Sequence, residues 1–311
     1  MARAYIFPGQ GSQAVGMGKD LAEAFPVARE VFEEVDEALS QKLSTLMWQG
    51  PQEELTLTQN TQPALMAHSI AAMRVMEKET GADISNAMFV AGHSLGEYSA
   101  LCAAGALSLT DTARLLRIRG EAMQAAVPVG EGAMAALIGV DLEGAQNAID
   151  AAAEGGVCEI ANDNAPGQVV ISGHKARVEA VCAGAKEFGA KLAKLLPVSA
   201  PFHSSLMASA AERMQAALAE ADFKSPVAPL IANVTAKEAP TPDDIRDLLV
   251  KQVTGRVRWT ESVKHMRAAG CDQFVEVGAG KVLCGLVKRI DREAATLNVG
   301  APGDIDAFAQ L

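Results

Sequence analysis

Apolar positions along this chain follow two rhythms, one spaced as in helices and one running continuously as in buried strands. Residues 4–7, Ala-Tyr-Ile-Phe, make a short apolar run stopped by Pro8-Gly9, the mark of a buried strand. Helical spacing occupies residues 17–47 and 63–80, a second apolar run covers 87–91 and ends at Gly92, and helical spacing returns over 96–105 and 110–127. From Gly132 the pattern predicts a strand over 133–140, a helix over 142–153 and strands over 157–161 and 168–172, these last two separated by the turn-rich Asn162-Asp163-Asn164-Ala165-Pro166-Gly167. A helix over 175–188 and a strand over 191–197 complete a βαββαβ order, which is the ferredoxin-like arrangement. The main body resumes with a helix near 204–221 and strands over 230–232 and 273–277. The expected fold is α/β. An α/β-hydrolase-like large subdomain with a parallel sheet (1–129 and 198–311) carries an inserted ferredoxin-like small subdomain (130–197).

Composition narrows the function classes. With 49% apolar and 21% charged residues, the 311-residue chain can build a sizeable core, and few aromatics (4%) mean an aliphatic one. A net charge of −11 argues against nucleic-acid binding, which needs a basic face. The five cysteines are widely spaced, without Cys-x-x-Cys or a metal-ligand pattern, so reduced thiols in a cytoplasmic protein are expected. No apolar run approaches the roughly 18 residues that span a bilayer, and the N-terminus lacks a leader pattern, so a soluble, unprocessed, free-standing protein is expected.

Gly92-His93-Ser94-Leu95-Gly96 fits Gly-x-Ser-x-Gly, and its setting gives it weight: the strand-like Met88-Phe89-Val90-Ala91 leads in and the helical Glu97-Tyr98-Ser99-Ala100-Leu101 leads out. Such a turn would lift the Ser94 hydroxyl above the sheet at a helix N-terminus, where the Leu95 N–H can face a developing oxyanion. A serine nucleophile needs a base. Of the five histidines, His68 and His265 lie in helical patterns, and His93 points away from its neighbour on a tight turn. That leaves His174, at a turn, and His203, in the loop after Ser199-Ala200-Pro201-Phe202; position favours His203. No Asp or Glu stands out as a triad acid, so a backbone carbonyl could orient the base.

Arg119 lies on the apolar stripe of helix 110–127, four residues from both Leu115 and Met123, whereas Arg114 and Arg117 face elsewhere, toward solvent. An inward guanidinium must be paired. Its partner is either a protein carboxylate or, in a clamp, the carboxylate of a substrate. Gly120 beside it would allow close backbone approach. Gly9-Gln10-Gly11-Ser12-Gln13-Ala14 fits a dinucleotide fingerprint, but the second strand with its acidic residue is missing, so that reading is rejected. Such a loop can equally offer N–H groups to an oxyanion.

Taken with Phe7-Pro8-Gly9-Gln10-Gly11-Ser12-Gln13, Arg119-Gly120, Asn164-Ala165-Pro166-Gly167-Gln168-Val169-Val170-Ile171-Ser172-Gly173, Pro197-Val198-Ser199-Ala200-Pro201-Phe202-His203 and Glu276-Val277-Gly278, the elbow motif makes the chain resemble, nearly end to end, the malonyl-CoA:acyl carrier protein transacylases of bacterial fatty acid synthesis. The resemblance implies Ser94 as nucleophile, His203 as general base and acid, and Arg119 as clamp for the malonyl carboxylate. It also implies the Gln10 and Leu95 N–H groups as oxyanion hole, and Gln252 as the residue whose backbone carbonyl orients His203. Asn162 and Asn164 match polar positions lining the cleft, and Phe202 matches the malonyl-selecting pattern of related polyketide acyltransferase domains.

The implied activity is ping-pong transfer of malonyl from malonyl-CoA to the phosphopantetheine thiol of acyl carrier protein through a malonyl-serine ester. No metal or redox cofactor is needed, and a monomer is expected, with no membrane or nucleic-acid partner. The rival readings are a serine thioesterase or esterase, a methylmalonyl-selective acyltransferase of polyketide synthesis, and a binding protein that has lost turnover. Docking of an acidic carrier protein on an acidic chain needs a local basic patch, with Lys186, Lys191, Lys194, Lys281, Lys288 and Arg289 as candidates.

Overall fold

The computed structural model describes residues 2–152, 155–198 and 200–310. Ala153, at the end of a predicted helix, and Ser199, in the loop before His203, lie outside the described residues. Among the described residues nine strands form two sheets: β1 (Arg3–Phe7), β2 (Phe89–Gly92), β3 (Gly132–Ile138), β4 (Cys158–Ala165), β5 (Gln168–His174), β6 (Leu192–Leu195), β7 (Leu230–Ile231), β8 (Gln273–Val277) and β9 (Ala295–Val299).

The first sheet has the order β7-β2-β1-β8-β9, and every neighbouring pair is parallel. Its central strands β2, β1 and β8 are buried almost throughout because both faces are covered. Tyr5 and Phe7 enter one core cluster, while Ala4 and Ile6 point the other way, into a cluster with Phe89, Trp259 and Phe274. The second sheet is antiparallel, with order β4-β5-β3-β6. Helices Leu142–Ala151 and Lys175–Gly184 pack on it around a separate small core containing Leu137, Ile171 and Val178. The chain is therefore α/β, a parallel-sheet body bearing a βαββαβ unit, as the pattern predicts. Among the described residues no helix is long and apolar enough to cross a membrane.

Three local expectations change. The predicted turn over 162–167 is mostly strand: β4 runs on to Ala165, with register shifts between Ile160 and Asn162 and between Asp163 and Ala165. Strand persists there, against the low β-propensity of Asn and Asp, because β4 finds a second backbone partner. Val257 N–H donates to the Ala161 carbonyl at 2.8 Å and Asp163 N–H to the Val257 carbonyl at 2.9 Å. The helix expected to begin at Pro63 begins at Thr58, its buried first turn held against the helix Leu109–Ala125. The C-terminal third also contains helix Trp259–Ala268, which holds His265 in the helical setting expected of it, and helices Pro242–Thr254, Val282–Ile290 and Pro302–Ala309 and strand β9, which the hydrophobic pattern does not single out.

Candidate active site

The elbow forms as its sequence dictates. β2 ends at Gly92, helix Gly96–Ala103 starts directly after, and Ser94 between them adopts φ 54°, a left-handed conformation that a non-glycine residue holds only under constraint. The flanking glycines are steric necessities: a Cβ at Gly92 would sit 1.9 Å from the Gly96 carbonyl, and one at Gly96 would sit 2.2 Å from the Phe7 carbonyl oxygen. Asn233, just beyond β7, braces the turn by accepting from Ser94 N–H at 2.8 Å and donating to the Gly92 carbonyl at 2.7 Å. Ser94 N–H is thereby occupied. Among the described residues no backbone hydrogen bond leaves the N–H of Leu95 or of Gln10.

Ser94 Oγ lies 2.8 Å from His203 Nε2. His203 Nδ1 faces two backbone carbonyls, those of Gln252 at 2.9 Å and Gly255 at 3.1 Å. A carbonyl only accepts, so Nδ1 must carry the proton and Nε2 must present its lone pair to the serine hydroxyl. The tautomer needed for a general base is set without a carboxylate. Burial, followed by the Arg119 guanidinium, pushes the His203 imidazole down to about 3, partly opposed by the Gln252 carbonyl. His174, the competing candidate, is remote from this pair: its Nδ1 accepts from Val157 N–H at 2.8 Å on the small sheet.

Arg119 is fully buried, and Gly120 beside it is required because a Cβ there would meet Gln59 Cα at 2.5 Å. Its partners are not carboxylates. Nη1 donates to Gln62 Oε1 at 2.7 Å, and Nη2 donates to Gln252 Oε1 at 2.8 Å and to Ser94 Oγ at 3.1 Å. Nε is buried, and the Tyr98 ring lies 5.7 Å from the guanidinium carbon. Arg114 is exposed as expected, whereas Arg117 is only half so and donates to Gln41.

A cavity of about 480 Å³ opens over Ser94, His203 and Arg119 between body and insertion. Gln10, Ser94, Leu95, Arg119, Phe202 and His203 line it from the body, and Asn162 and Asn164 line it from bulged β4. Asn164 Oδ1 lies 2.8 Å from His93 Nε2, so His93, dismissed as a base, is a wall of the site tied to the insertion. Sequence reasoning missed Gln62, Glu97, Asn233 and Gly255. Asn233 was the most legible of these, a polar residue beyond the carboxyl end of a sheet strand, where α/β folds gather their ligands. The six basic docking candidates are all exposed, on the edge of the insertion and along Val282–Ile290.

A serine hydroxyl 2.8 Å from an imidazole nitrogen that presents its lone pair, with a guanidinium 3.1 Å from the same oxygen, is an arrangement suited to carrying an acyl group. The comparisons agree. A malonyl CoA-acyl carrier protein transacylase of Bacillus subtilis strain 168 is 48% identical over 308 residues, 99% of this chain and 96% of the relative. The crystal structure of an acyl-carrier-protein-S-malonyltransferase from Bartonella henselae superposes with TM-score 0.97 at 56% identity, covering 100% of this chain and 99% of that one. A malonyl-transacylase solved in complex with a type II PKS acyl-carrier protein gives TM-score 0.96 at 42% identity, with 100% and 99% covered. The family model of the acyl transferase domain matches residues 4–299, so nearly the whole chain, active-site elbow included, belongs to the acyl transferase domain family.

Proposed function

We propose that this enzyme transfers malonyl from malonyl-CoA to the phosphopantetheine thiol of acyl carrier protein by way of a malonyl ester on Ser94. The observation that carries the substrate class is the 3.1 Å between Arg119 Nη2 and Ser94 Oγ. In malonyl, one methylene separates the carboxylate carbon from the reacting carbonyl carbon, about 2.5 Å across two C–C bonds of about 1.5 Å. A clamp this close to the nucleophile fits that spacing. A plain esterase would have no use for it.

In the cycle, His203 Nε2 takes the Ser94 proton as Oγ attacks the thioester carbonyl carbon. The oxyanion is held by the Gln10 and Leu95 N–H groups, the latter at the positive end of helix Gly96–Ala103. Each such donor is worth roughly 2.7–4 kcal/mol to the transition state. When the C–S bond breaks, His203 returns the proton to the CoA thiolate. The pantetheine thiol then loses its proton to His203 and attacks the ester, and Ser94 Oγ leaves with that proton. The Gln252 and Gly255 carbonyls stabilise the transient imidazolium that a triad acid would otherwise serve. Asn162 and Asn164 contribute the polar wall of the cleft. Residues 130–197 form the inserted small subdomain and 1–129 with 198–311 the catalytic one. Five free cysteines fit a cytoplasmic enzyme of fatty acid synthesis.

The direct test is intact-protein mass spectrometry after exposure to malonyl-CoA: one malonyl should be gained, then lost on addition of holo-carrier protein. A chain that gains none, or whose adduct the carrier thiol does not discharge, would refute the assignment. The depressed His203 predicts a pH profile too. Because the free base stays neutral well below pH 6.5, kcat/KM for malonyl-CoA should change by less than about threefold from about pH 7.5 to 5.5, where a histidine of ordinary pKa would cost roughly tenfold. Phe202, buried beside His203 and lining the cavity, should disfavour a branched acyl group by bulk. Phe202→Ala is expected to raise methylmalonyl-CoA use relative to malonyl-CoA by roughly tenfold; competition assays showing an unchanged ratio would remove Phe202 from specificity.

A further inference from the structure

The mechanism above gives no task to Glu97, although it is a carboxylic acid buried directly behind the nucleophile, in the first turn of helix Gly96–Ala103. Its Oε2 accepts two hydrogen bonds, from Asn233 N–H and from Gln252 Nε2, each 2.9 Å long. The same Gln252 Nε2 donates to the Ser94 carbonyl at 3.0 Å, and Gln252 Oε1 accepts from Arg119 Nη2 at 2.8 Å.

A side-chain amide has one end that donates and one that accepts, and the two are nearly equal in shape. Its direction is decided by its neighbours. Glu97 Oε2 and the Ser94 carbonyl both demand a donor, so the Gln252 NH2 must turn toward them and its oxygen toward Arg119. The reversed amide would set NH2 against the guanidinium and oxygen against carboxylate and carbonyl, losing three hydrogen bonds in a buried site where unpaired polar groups are costly.

We propose that Glu97 is a positioning residue for substrate selection: by fixing the direction of the Gln252 amide it holds the Arg119 guanidinium over Ser94, where a malonyl carboxylate is met. The assignment rests on the malonyl-transfer reading. Glu97 acts as a hydrogen-bond acceptor. Burial pushes its carboxyl up to about 7, and the role survives protonation of Oε1 because Oε2 still accepts.

The test compares kcat/KM for malonyl-CoA and for acetyl-CoA, with holo-carrier protein as acceptor, in four proteins. Glu97→Ala should lower the malonyl-to-acetyl ratio by roughly tenfold or more, the effect of losing one charge-assisted hydrogen bond from the clamp. Glu97→Gln should stay within about threefold of the wild-type ratio, since its amide oxygen can accept the same two bonds and the immobile Asn233 N–H holds it there. Gln252→Leu keeps the main-chain carbonyl that faces His203 but removes the amide. It should repeat the fall seen in Glu97→Ala, so the answer does not depend on that variant folding. An intact ratio in Gln252→Leu, a Glu97→Gln ratio as low as Gln252→Leu, or equal losses with both donors each overturns the proposal. Wild-type protein that takes no malonyl onto Ser94 is a separate failure, of the transfer reading itself.

Discussion

Ser94→Ala is expected to remain folded and to gain no mass on incubation with malonyl-CoA. The side chain that is removed bonds only to His203 and Arg119, whereas the bonds that brace the elbow run from the backbone of residue 94: its N–H to Asn233 and its carbonyl from Gln252. Alanine keeps both. What disappears is the oxygen that carries the ester. In a serine hydrolase, deletion of the nucleophile costs roughly a millionfold in kcat, and a loss of that order is expected here. A stoichiometric malonyl adduct in Ser94→Ala, with an unchanged thermal transition, would move the acyl group to another residue.

Arg119→Ala carries the second-largest effect, and its character matters more than its size. The hydrogen bonds that the guanidinium donates in the free protein go to neutral acceptors, Gln62, Gln252 and Ser94. A substrate carboxylate would add a charge-assisted, forked contact of roughly 3 kcal/mol, so kcat/KM for malonyl-CoA should fall about a hundredfold. Acetyl-CoA has no carboxylate to lose. Removing the cation also relieves part of the depression of His203, making it a stronger base. Acetyl transfer should therefore hold or improve, and equal losses with both donors would make Arg119 a structural residue.

Much of this site was legible in the chain before folding. Gly-x-Ser-x-Gly is in part a local device: Gly92 is crowded by Gly96 within the motif, the strand before it and the helix after it are local as well, and only the demand for glycine at Gly96 comes from afar, from the Phe7 carbonyl. Arg119 betrayed itself by its place on an apolar stripe. His203 was preferable to His174 from loop position, and no Asp or Glu stood out as a triad acid; His203 Nδ1 faces the Gln252 and Gly255 carbonyls. The turn-like composition of residues 162–167 misled because low strand propensity is overridden when a second backbone partner, here Val257, lies alongside.

That Ser94 stands on an elbow and Arg119 faces inward could be read from the chain alone, because both follow mainly from short-range sterics and helical period. What those groups meet depends on long-range packing. Arg119 reaches Ser94 across 25 residues, Gln252 reaches Arg119 across 133, and Asn233 reaches Ser94 across 139. No periodicity encodes such pairings, and the direction of an amide such as Gln252 is set by the donors and acceptors that close around it.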